Sequence, residues 1–214
     1  MRYASTIVFS PLLCLAACSW AMPAPKIDWA IAVHGGAGTM SRNAPAARLK
    51  AYEDAMESAV LRGVALLEDG ASALDVCEAV LRSLEDNPMF NAGKGAVYNE
   101  KGEHELDASI MDGSTMRCGA VAGVRTVKNP ITLARKVMTD TRHVLLAGDG
   151  AEKFADIAGV ERVENSYFDT ESRRRSLDRL LRQREQTGSL VPKDRRLDYG
   201  TVGCVALDRS GRLA

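Results

Sequence analysis

Thr201 stands in the stretch Asp198-Tyr199-Gly200-Thr201-Val202-Gly203-Cys204-Val205-Ala206-Leu207-Asp208, between a glycine and an apolar run. A threonine hydroxyl is a weak nucleophile unless a base stands beside it. A cut between Gly200 and Thr201 would supply that base. The freed α-amine titrates at roughly 7.7–8.0 and lies within reach of its own Oγ1. This is the N-terminal-threonine form of the nucleophile-and-base pair. Glycine at position 200 lets the scissile peptide take a strained geometry with no Cβ to clash. Gly-Thr at a strand start is common, so its weight comes from what stands upstream.

Two upstream stretches have the same chemical flavour. His34-Gly35-Gly36-Ala37-Gly38 follows an apolar run. Its glycines predict a tight turn in which the backbone N–H groups of Gly35 and Gly36 are open to an active site. A His-Gly-Gly turn also serves as the oxyanion loop of lipases, but that fold needs a G-x-S-x-G elbow, and none occurs here. The second stretch runs from Leu84 to Gly95, where Pro88, Gly93 and Gly95 interrupt regular structure. Carbonyls in such a loop must find water, side chains or a cation.

These stretches need elements to hold them. Ile27, Trp29, Ile31 and Val33 alternate with polar or small residues and predict a first strand. Leu49, Tyr52, Met56, Ala59, Val60, Gly63 and Leu67 recur at helical spacing from about Pro45 to Glu68. A second helix starts at Ser72, with Asp75 as a near capping box and Leu74, Cys77, Leu81 and Leu84 as its stripe. The two helices should pair and cover one face of a sheet. Glu105 to Gly113 and Cys118 to Val127 predict an antiparallel hairpin. Asn129-Pro130 should open a helix, Asn129 as N-cap and Pro130 at N1. A short strand over His143–Gly148 and a helix over Ala151–Ile157 follow. Gly148-Asp149-Gly150 lacks the third glycine of a dinucleotide fingerprint. Ser172 to Gln186 predicts a helix with Leu177, Leu180 and Leu181 inward, and its many arginines read as a solvated face. Residues 169–200 are assigned to a linker that ends at the cleavage site. After Gly200 the pattern is that of a core strand that begins at Thr201, with Val202, Cys204 and Ala206 on one face and Thr201, Val205 and Leu207 on the other.

The 214 residues are 46% hydrophobic and 26% charged, with net charge 0, a globular composition that gives no reason to expect a nucleic-acid partner. Residues 1–21 differ: Met1-Arg2-Tyr3 precedes an apolar run too short to span a bilayer, the pattern of an export leader. Two cleavage readings stand. Ser19-Trp20-Ala21 suits an ordinary signal peptidase, and Leu15-Ala16-Ala17-Cys18 resembles a lipobox that would leave Cys18 lipidated. A start codon placed too early, and a cytosolic protein, is the alternative. Of the five cysteines, Cys14 and Cys18 fall in the leader, and none forms a metal-binding spacing. Cys77, Cys118 and Cys204 read as buried core thiols, with a Cys118–Cys204 bridge open to an exported protein.

Five motifs in order resemble the plant-type asparaginase / isoaspartyl aminopeptidase family. They are His34-Gly35-Gly36-Ala37-Gly38, Asn87-Pro88-Met89-Phe90-Asn91-Ala92-Gly93, Glu105-Leu106-Asp107-Ala108 through Gly113, Gly119-Ala120-Val121-Ala122-Gly123-Val124, and Gly200-Thr201-Val202-Gly203. The resemblance runs from about Ile31 to Ala214. It implies an α+β fold, the four-layer αββα sandwich of N-terminal-nucleophile hydrolases, with residues 27–168 as the α-subunit core and 201–214 as the start of β. It implies self-cleavage before Thr201, association of the resulting αβ units as a dimer, and hydrolysis of L-asparagine and isoaspartyl dipeptides. Asn91 would support the nucleophile. The carbonyls of Leu84, Glu85, Asn87, Phe90, Ala92 and Lys94 would hold a structural sodium ion, and no catalytic cofactor is implied. His34 would be a structural hydrogen-bonder. The family's second active-site threonine, its substrate-holding arginine and aspartate, and its oxyanion-hole groups lie beyond the position that matches Ala214. The 214 residues alone are therefore expected to be inactive. A related amidohydrolase acting on glycosylated asparagine, or an inactive envelope lipoprotein, are the alternatives.

Overall fold

The computed structural model describes residues 28–36, 43–187 and 202–214; the leader, Gly200 and Thr201 lie outside them. Strand β1 (Ala30–His34) pairs antiparallel with the last strand, β5 (Gly203–Leu207), so that Ala30 faces Leu207 and His34 faces Gly203. Two helices, α1 (Ala46–Glu68) and α2 (Ala73–Glu85), cover this pair. Helix α1 comes close because Gly63 has no side chain: a Cβ there would lie 2.2 Å from Ile31 Cδ1. Helix α2 is capped as the sequence predicts, Ser72 Oγ accepting the Asp75 N–H at 3.2 Å.

The second sheet is more local. Strands β2 (Leu106–Asp112) and β3 (Arg117–Val124) form the expected hairpin, and β4 (Leu145–Ala147) lies parallel to β3. A parallel return needs a crossover, and α3 (Pro130–Asp140) supplies it. Gly119 of β3 meets α3 backbone to backbone, since a Cβ there would lie 2.2 Å from the Ala134 carbonyl oxygen. Helix α4 (Gly148–Ala158) follows β4 directly, and α5 (Glu171–Thr187) closes the described part before residue 188. Val76, Val80, Leu84, Val121, Val124, Ile131 and Leu133, all fully buried, belong to one core that joins the helices to both sheets. The fold is mixed α+β.

Several expectations shift. The hairpin's second strand ends at Val124, and α4 starts at Gly148 rather than Ala151. Asn129 precedes α3 without capping it by its side chain. Its amide instead donates to Asp86 Oδ1 at 3.1 Å, tying α3 to the end of α2. The stripe of α2 is rotated toward Val76 and Val80, with Leu74 and Leu81 only half-buried. Of the α5 leucines, Leu177 is buried and Leu180 is 41% exposed, so Leu180 does not point inward. The span 169–200 begins as helix rather than linker, and residues 188–200 lie outside the described part. The arginines of α5 form the expected solvated face, with Arg174, Arg175, Arg179, Arg182 and Arg184 exposed, and two of them also make contacts along the fold. Arg173 Nε donates to the Gly95 carbonyl at 2.7 Å, and the Arg174 guanidinium lies over the Tyr98 ring at 4.3 Å. Beneath them His104, fully buried, bonds the Val97 carbonyl and Asp169. Cys204 neighbours Cys77 of α2, while Cys118 lies in the other sheet opposite Met111. That removes the geometry for a Cys118–Cys204 bridge.

Candidate active site

Antiparallel register decides where strand β5 begins in space. Gly203 pairs with His34, so Val202 emerges at the Gly35 end of β1. A side chain at Gly35 would have to displace the end of Met56: a Cβ there would lie 2.6 Å from Met56 Sδ and 3.3 Å from the Phe90 ring. Gly36 takes a φ of +116°, a conformation L side chains rarely adopt. The His-Gly-Gly turn thus rests on α1 through Met56 and on the Pro88 loop through Phe90. Phe90 is buried and meets Tyr52 edge-on, with centroids 5.9 Å apart. The Tyr52 hydroxyl donates to the Met89 carbonyl at 2.9 Å, which fixes the loop to α1. His34 itself is exposed at the end of its strand.

Asn91 is held by its own loop, its Oδ1 accepting the Val97 N–H at 2.8 Å. It borders a cavity of about 580 Å³ together with Ala92, Gly93 and Val202. Ala108, Ala120 and Ala122 of the second sheet and Ile131 of α3 form other walls. Small residues make the space, and Glu85, Glu105, Asp107 and Ser109 give it polar points. A concave apolar surface with a few converging polar groups is what a small-molecule site requires. Of the residues singled out from sequence, Asn91, Ala92 and Glu85 reach this cavity, while Gly35, Gly36, Leu84, Asn87, Phe90 and Lys94 are not on its wall. Gly200 and Thr201 lie outside the described residues, but Val202, the next residue, is on the wall.

One carboxyl escapes a reading by motif. Glu85 is 5% exposed, its Oε1 accepting the Ile131 N–H at 3.1 Å. Its Oε2 has no partner among the described residues. Burial pushes the carboxyl up to about 8, with the Ile131 N–H pulling the other way. At neutral pH it is therefore largely protonated. Its position four residues after Leu81, on the inward side of α2, was the available clue.

Among the described residues no group of three or more His, Cys, Asp or Glu side chains could hold a metal. The Pro88 loop offers main-chain oxygens instead. The carbonyls of Leu84, Asn87 and Ala92 each accept one loop N–H, from Asn87, Phe90 and Gly95. A carbonyl has a second lone pair for a cation. Gly93 and Gly95 crowd the others, since a Cβ at Gly93 would lie 2.3 Å from the Glu85 oxygen and one at Gly95 2.0 Å from that of Phe90. Bare glycines are what lets the loop pass so close to these two carbonyls, and oxygen donors are the kind a hard cation takes.

A small-molecule cavity bordered by Asn91 and by Val202 at the start of a strand is the candidate site. Comparison with known proteins narrows it: a family model described as "Asparaginase" matches residues 27–214. The chain belongs to the asparaginase family. It is 44% identical over 190 residues to the isoaspartyl peptidase of Escherichia coli K12, covering 86% of this chain and 58% of that protein. It is 44% identical over 187 residues to the plant-type L-asparaginase of Pyrococcus abyssi, covering 84% and 59%. With the mouse isoaspartyl peptidase/L-asparaginase it shares 39% identity over 188 residues, covering 88% and 56%. The chain thus spans less than two thirds of the length of these relatives.

Proposed function

We propose that the full-length protein is a self-processing hydrolase of β-aspartyl amides and peptides, with Thr201 as its N-terminal nucleophile. The observation that carries this is the meeting of Val202, adjacent to Thr201, with Asn91 on one cavity wall. The names of the relatives supply the substrate class. In the maturation step Thr201 Oγ1 attacks the Gly200 carbonyl, the peptide nitrogen leaves as the Thr201 α-amine, and water opens the ester. In the mature protein that amine takes the Oγ1 proton while Oγ1 attacks the side-chain carbonyl of a β-aspartyl group. Ammonia or an amino acid leaves, and water hydrolyses the β-aspartyl ester.

Around this chemistry we place the family's four-layer sandwich, an αβ unit that dimerises, and an export leader that ends at a lipidated Cys18 or a signal-peptidase site. A sodium ion held by the carbonyls from Leu84 to Lys94 would satisfy the loop's oxygens without entering the reaction. Exchanging sodium for caesium should lower the melting temperature, and an unchanged value argues for an ion-free loop. The decisive experiment is N-terminal sequencing of the full-length protein after storage, alongside release of the amino acid from a β-aspartyl dipeptide. A fragment beginning Thr-Val-Gly-Cys, appearing together with activity, is expected. An uncut chain with full activity would overturn the nucleophile assignment.

A further inference from the structure

Two thiols that the proposed hydrolysis does not use lie side by side. Cys77 faces inward from the middle of α2 and is buried. Cys204 is the second residue of β5, opposite Val33 of β1. Cys77 Sγ lies 3.6 Å from the Cys204 carbonyl oxygen and 3.5 Å from that of Ala214. Interaction between the two side chains holds Cys77 below its ordinary value and, with burial, pushes Cys204 up. The relation between the two elements is fixed beyond the thiols. The Ala73 N–H at the start of α2 donates to Asp208 Oδ2, just past β5, at 3.1 Å, and Ala206 between them is fully buried.

We propose that Cys77 and Cys204 form a disulfide that ties α2 to β5 and bridges the chain across Thr201. The two positions are 127 residues apart, one on each side of the expected cut. The oxidant is a small disulfide. One cysteine thiolate attacks it, forming a mixed disulfide and releasing one thiol. The second cysteine thiolate then displaces the other thiol and closes the bond. The two protein thiols lose two electrons, the reagent gains them, and the two protons end on the released thiols. Because Cys77 is buried, the exchange belongs to folding, while α2 is still open from β5. An export address would supply the oxidising setting. The cross-link does not require the cut. Its consequence does, and here it rests on the proposed self-processing: the two pieces of the cleaved protein would remain one covalent unit.

The test is a disulfide map. Full-length protein is reduced, unfolded and refolded in a buffer of reduced and oxidised glutathione. Remaining thiols are alkylated, and the protein is digested with trypsin without reductant. The expected product is peptide 63–82 joined to the peptide that carries Cys204, the pair separating on addition of dithiothreitol. Peptide 118–125, with Cys118, should carry the alkyl label. The partner is 197–209 if the chain is uncut and 201–209 if it is cut, so the cross-link and the cleavage fail separately. Alkylation of both Cys77 and Cys204, or a link from either to Cys118, overturns the proposal.

Discussion

The two sheets are built from opposite kinds of contact. The hairpin β2–β3 is closed by a short turn, and its cover, α3, follows within a few residues. The pair β1–β5 joins the start of the described chain to its end, and its cover, α2, reaches β5 across some 130 positions. Closing so long a loop costs entropy that local contacts never have to overcome. The long-range pair is nevertheless the one that brings Val202, the residue after the proposed nucleophile, to the cavity. Both halves line the cavity, the local one through β2 and β3 and the long-range one through Val202.

The largest effect that separates the halves is at Thr201. Thr201→Ala should abolish both chain cleavage and amide hydrolysis in the full-length protein while leaving thermal unfolding intact. Thr201→Ser should still cleave, more slowly, because the hydroxyl stays while the methyl that restricts its rotamer is lost. Gel analysis and a β-aspartyl dipeptide assay read both. Next comes Gly119→Ala in the local half. Its Cβ would meet the Ala134 carbonyl and, at 2.5 Å, the Met138 nitrogen. Neither can step aside, so about 3 kcal/mol of stability should be lost in denaturant titration. If the loss is negligible, α3 does not press on β3.

A smaller effect is expected at Asp208, which ties the long-range half together. The buried carboxyl accepts N–H groups from Ala73 at 3.1 Å, Ser210 at 2.9 Å and Arg212 at 3.1 Å. Burial opposes its ionisation, but these donors outweigh burial and hold it below its ordinary value. Asp208→Ala should cost about 1–3 kcal/mol by orphaning the donors. A carboxyl held low stabilises above its unfolded pKa, and that stability is lost as pH falls through the folded value. Asp208→Asn should therefore flatten the acid side of the stability profile. The smallest change is Ser72→Ala, which removes one cap bond from α2 and should cost about 1 kcal/mol. A cost there equal to that at Asp208 would mean that α2 leans on its own cap more than on β5.

The same division explains what the sequence made legible. Helical spacing outlined α1 to within one residue, and Ser72 marked the start of α2, because caps and apolar periods are local. The β2–β3 hairpin was legible from the turn at Gly113-Ser114. Which thiol meets Cys204 was not, because the answer depends on how α2 lies on β5. Asn129 looked like a cap, yet its amide is taken by Asp86, 43 residues away. Glu85 gave no motif, since its burial comes from Ile131 and the loop that closes over it. Within the site, Asn91 was visible from its motif along the chain. Its meeting with Val202 at one cavity belongs to tertiary packing.

The pairing of β1 with β5 has a further consequence for how long such a protein endures. In an uncut chain β5 is tethered, and its local concentration near β1 is set by the polymer. If the chain is severed between the two strands and Cys77 and Cys204 are reduced, the tether is gone, and reunion after unfolding becomes a second-order encounter at whatever dilution prevails. Recovery from heat would then depend on protein concentration. In that reduced form maturation would act as a ratchet, with lifetime governed by the rate at which the molecule opens, whereas the disulfide would keep reunion intramolecular.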